Sequence, residues 1–85
     1  MKKHVHTAND YYLLKSIYDN CYQVINMNNV SWEAKYDFVF SGVMSKTVFK
    51  IAPNFDYYDP DTSYEEDTVA FVSALGKYIE ETNII

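Results

Sequence analysis

The chain has 85 residues, with seven lysines, no arginine and twelve carboxylates, for a net charge of −5. A chain this short folds as one domain and buries roughly 60–65% of the surface it exposes when unfolded. Its single cysteine, Cys21, excludes an intramolecular disulfide and any cysteine-rich zinc or iron–sulfur centre, and it fits a reducing cytoplasm.

The charge is unevenly placed. Residues 1–50 carry +2 and residues 51–85 carry −7. The acidic second part repels nucleic acid and anionic membranes, so neither is expected as a direct partner. Lys2 and Lys3 open like a signal peptide, but His4, His6, Asn9 and Asp10 interrupt any apolar run behind them. No stretch approaches the roughly 18 apolar residues of a membrane helix. A cytoplasmic protein is expected, in the host cytoplasm if the chain is phage-encoded.

Residues 1–8 read as a flexible polar arm, and residues 9–85 as a single α+β domain. Thr7 or Asn9 is placed to cap a helix. From Asp10 to about Met27 the apolar positions recur at helical spacing, with Leu14, Tyr18, Cys21 and Ile25 in one stripe. Asn26-Met-Asn-Asn29 ends that pattern. From Trp32 the period changes to two. Trp32, Ala34, Tyr36, Phe38 and Phe40 alternate with Lys35, Asp37, Val39 and Ser41, which predicts a half-buried strand. Ser41-Gly42 signals a turn, and alternation resumes over 43–51 to complete a β-hairpin. Pro53 ends the second strand, and Phe55–Tyr58 is a candidate short edge strand. Ser63-Tyr-Glu-Glu66 is a capping box that opens a helix running to about Glu81. The predicted order is α-β-β-(β)-α, an antiparallel sheet with two helices packed on one face.

No spacing here suggests catalysis. There is no Gly-x-Ser-x-Gly elbow and no phosphate-cradling glycine loop, since Gly42 and Gly76 are the only glycines. His4 and His6 lie in the arm, where sequence places no third metal ligand. Cys21 falls on an apolar stripe and reads as a small core residue. The acids of 56–67 supply hard oxygens, but their spacing fails the EF-hand pattern: counted from Asp56, Tyr58 stands at the third ligand position. No catalytic residue, metal or cofactor is expected.

One segment concentrates charge. Six of the twelve carboxylates lie between Asp56 and Asp67, interleaved with Tyr57, Tyr58 and Tyr64, and no lysine interrupts them. A solvated turn and helix start would account for Glu65, Glu66 and Asp67, because acids favour the positive end of a helix. Three carboxylates around paired tyrosines, Asp56, Tyr57, Tyr58, Asp59 and Asp61, exceed what a turn needs. Such a surface suits a basic partner that normally grips phosphates, with the tyrosines as desolvated anchors.

Tyr57-Tyr58-Asp59-Pro60, followed by acids and a helix, resembles the Tyr-Tyr-Pro segment of the nuclease-colicin immunity proteins, which are acidic inhibitors of similar length. The resemblance implies a surface that blocks a basic nuclease. Asp59 intervenes between tyrosines and proline here, and the hairpin read over 32–51 departs from that all-helical family.

The expectation is therefore a small acidic, non-enzymatic inhibitor of phage anti-defence or nuclease-immunity type. It would occlude the basic site of a nuclease, restriction or CRISPR component, or polymerase, in the manner of a nucleic-acid mimic. Its binding residues would be Asp56, Tyr57, Tyr58, Asp59, Asp61, Tyr64, Glu65, Glu66 and Asp67. The alternative is a structural or regulatory adaptor that forms a homodimer through the aromatic face of its hairpin.

Overall fold

The structure, a computed structural model, describes residues 2–85. Four helices follow one another: α1 (Ala8–Ile25), α2 (Trp32–Phe40), α3 (Val43–Ile51) and α4 (Tyr64–Glu80). Two three-residue strands, β1 (His4–His6) and β2 (Thr82–Ile84), flank them and pair in parallel, with Val5 opposite Asn83.

This corrects the predicted fold class. The antiparallel sheet with two helices on one face does not form, and the segments read as a hairpin are α2 and α3. Phe55–Tyr58 is irregular rather than an edge strand. The reason lies in the spacing. Trp32, Tyr36 and Phe40 stand four apart, so they share a face in a strand and in a helix alike. The residues between them decide. Lys35 and Val39 are buried while Ala34 and Phe38 are exposed, which is helical periodicity. Ser31 starts α2 locally, its hydroxyl accepting from the Ala34 N–H at 3.2 Å. The aromatic hairpin face proposed for homodimerisation is thereby absent; on α2 Trp32, Tyr36 and Phe40 are half-buried and Phe38 is exposed.

The outer helices match their sequence signals. Thr7 caps α1 by accepting from the Asp10 N–H, and Ser63 caps α4 by accepting from the Glu66 N–H at 3.1 Å. Leu14, Ile17 and Cys21 of α1 are buried against Phe71, Val72, Leu75 and Ile79 of α4. Gly76 lets these helices approach closely: a Cβ there would lie 2.7 Å from the Tyr18 ring. Phe71 is the aromatic hub, with Phe40, Phe55 and Tyr57 rings 5.2–5.6 Å from it. Val39 of α2 and Val48 of α3 complete the core.

The histidines of the arm are held in place. His4 stacks on Tyr78 at 3.8 Å between ring centres, and His6 Nε2 lies 2.6 Å from the Tyr78 hydroxyl. In an extended chain residues two apart share a face, so the His-x-His spacing presents both rings to one tyrosine. Lys3 pairs with Glu81 at 3.5 Å, and the Lys3 and His4 N–H groups both donate to the Glu81 carbonyl. No described helix is long and apolar enough to cross a membrane.

Candidate functional site

The acid–tyrosine segment runs from the end of α3 to the first turn of α4. Phe55 is buried and anchors its entrance. Tyr57 and Tyr58 then part company. Tyr57 is half-buried, edge-on to Phe71 at 5.3 Å and stacked near Phe55 at 5.9 Å. Tyr58 is 83% exposed. Burial, with the Asp59 and Asp67 charges beside it, pushes the Tyr57 phenol above its usual range.

Asp59, Asp61 and Asp67 form a closed local arrangement. Asp61 has φ 52°, a left-handed conformation that Asp tolerates better than most residues. Its N–H donates to Asp67 Oδ1 at 2.7 Å and to Asp59 Oδ1 at 3.1 Å. Asp67 is buried on α4, and desolvation, followed by the shared hydrogen bond with Asp59, raises its pKa; the Asp61 N–H opposes that shift. Asp67 therefore staples the turn to the helix. Thr62 Oγ1 adds a hydrogen bond to Glu66.

The sequence-predicted residues thus separate by exposure. Asp56, Tyr58, Asp59, Asp61, Tyr64, Glu65 and Glu66 are exposed, Tyr57 is half-buried and Asp67 is buried. Sequence reasoning missed Tyr36. Its ring lies 5.1 Å from that of Tyr64, and together they flank a pocket of about 380 Å³ completed by Asp61, Thr62, Ser63 and Asp67. The i, i+4 pair Tyr36 and Phe40 is the available signal, and a strand reading of the same residues hides it.

The segment's charge is not neutralised from within. Among the described residues the one lysine–carboxylate ion pair is Lys3–Glu81, at the far end of α4. No group of three or more His, Cys, Asp or Glu side chains converges as a metal site among the described residues. Cys21 lies in the core, where desolvation pushes its thiol up to about 11, which keeps it protonated and unreactive.

No family model matches the chain, and comparison with curated proteins and with solved structures returns no match.

Proposed function

We propose that this protein is a non-enzymatic inhibitor that covers the basic site of a nucleic-acid-handling protein with the exposed part of its acid–tyrosine segment. The observation that supports this reading is the run of five exposed carboxylates, Asp56, Asp59, Asp61, Glu65 and Glu66, with no lysine paired to them among the described residues. Tyr58 stands out from the middle of that run. Unpaired charge of one sign steers a basic partner, and an exposed aromatic ring supplies area to desolvate on contact. Tyr57 and Asp67 act as the support of the surface rather than as contacts, because the core and the Asp61 N–H already engage them.

The test is affinity capture from source-cell lysate with the wild-type chain and with an Asp56→Lys/Glu65→Lys variant. Neither side chain takes part in the hydrogen bonds that shape the turn, and circular dichroism of the variant checks that it is folded. The wild type should retain a basic nuclease, restriction or CRISPR component, or polymerase, in a manner lost at high salt and displaced by duplex DNA. An identical set of captured proteins with wild type and variant would reject the reading.

A further inference from the structure

We infer that the outward stripe of α3 is a contact surface for a second copy of this chain, which it meets at the outward stripe of α4. Helix α3 contains no acid. Its solvent side presents Val43, Lys46 and Lys50, and Val43 is 75% exposed. Neither lysine is in an ion pair among the described residues. A lysine near a helix C-terminus has a local reason to be there, since it faces the negative end of the dipole. That accounts for Lys50, but not for Lys46 in mid-helix beside an uncovered valine.

The complementary surface is on the same molecule. The exposed side of α4 opens with Glu65 and Glu66 and continues to Val69, which is 37% exposed. The two stripes match when the helices run antiparallel. Val43 precedes Lys46 by three residues, and Val69 follows Glu66 by three. At a rise of 1.5 Å per residue each valine lies about 4.5 Å along the axis from its charged neighbour. Placing Val43 on Val69 therefore brings Lys46 to Glu66 and Lys50 toward Glu65. It also sets the C-terminal end of α3 beside the N-terminal end of α4, where the dipole ends are of opposite sign.

The contact is heterologous, because it joins two different surfaces, so each pair of molecules leaves one stripe of each kind free unless rotation closes the assembly. Stripes this short bury less than a standard stable interface, so the association is weak and reversible. It shares Glu65 and Glu66 with the proposed inhibitory surface, but it needs no partner protein, and Lys46 and Lys50 lie outside the acid–tyrosine segment.

Sedimentation velocity of the full chain, from low micromolar to near-millimolar concentration, tests it. At low salt the weight-average sedimentation coefficient should climb with concentration, and at high salt it should fall back to the monomer value. Lys46→Glu/Lys50→Glu and Glu65→Lys/Glu66→Lys variants should each stay monomeric, and an equimolar mixture of the two should associate again. Val43→Asp, at a position open to solvent, should also abolish association and covers the case in which a charge-reversed chain fails to fold. A wild-type chain that is monomeric throughout at low salt overturns the inference, as does a mixture that stays monomeric or a Val43→Asp chain that associates like wild type. A monomeric Lys46→Glu/Lys50→Glu chain that still captures a basic protein leaves the inhibitory reading standing.

Discussion

The ammonium of Lys35 donates to the carbonyl of Ile25 at 2.9 Å and lies 4.2 Å from the centre of the Trp32 ring. Helix α1 has no basic residue in its last turn. The cation that meets its free carbonyls comes from α2, ten residues on. Lys35 is only 4% exposed, so its stem packs as an apolar side chain while its head satisfies a backbone acceptor. Lys35→Met should retain the packing and lose the hydrogen bond, at a cost of about 1–3 kcal/mol, and Lys35→Ala should cost more because the stem goes too. Urea unfolding of the three chains checks the order wild type, Met, Ala; a Met variant as stable as wild type would remove the capping role.

Gly76→Ala sets two effects against each other. Alanine improves helix propensity by about 1 kcal/mol. Its Cβ, however, would lie 2.7 Å from Tyr18 Cε1 and 3.2 Å from the hydroxyl, so the ring must move. Overpacking of this kind costs about 1–3 kcal/mol, and the net change should be destabilising. Thermal unfolding should show a lower midpoint for Gly76→Ala. In a Tyr18→Leu background, where the ring is gone, the same substitution should be neutral or stabilising.

Asp67 separates charge from hydrogen bonding. Its folded pKa lies above the unfolded value, so its contribution to stability is fully present below the unfolded pKa and is lost as pH rises through the folded one. Asp67→Asn removes the repulsion with Asp59 and keeps an oxygen for the Asp61 N–H. At neutral pH that variant should be at least as stable as wild type, with a flatter stability profile through the acid range. Asp67→Ala leaves the Asp61 N–H with Asp59 alone and should be less stable than either. Chemical denaturation at several pH values distinguishes the three.

Cys21 is fully buried, and its thiol is pushed up to about 11 by desolvation. The native protein should react with a thiol reagent only as fast as it opens, and the unfolded protein should react at the rate of a free cysteine. Cys21→Ser, which places a hydroxyl on the same apolar stripe, should cost about 1–3 kcal/mol. Fast native labelling would contradict the burial.

Part of the site is legible in the residue order alone. Ser63 and Glu66 mark the start of α4 because a cap is a contact between residues three apart. The excess of acid around Tyr57 and Tyr58 is equally plain. Which of the two tyrosines faces water is not, because that depends on Phe71, which packs on Tyr57 alone. Nor is the role of Asp67, which looks like one more helix-start acid until the left-handed Asp61 brings its N–H to it.

By itself the sequence determined the two long helices, their caps and the buried stripe through Leu14 and Cys21, all of which follow from local spacing and short-range hydrogen bonds. It also determined the charge asymmetry. Tertiary structure alone decided between hairpin and helices over 32–51, where aromatic residues four apart satisfy both periods and the burial of Lys35 and Val39 breaks the tie. It likewise decided the pairing of β1 with β2, since a parallel contact across all four helices has no signature in either three-residue segment. The physical reason is the same in both cases: short elements take their conformation from what they pack against rather than from their own propensity.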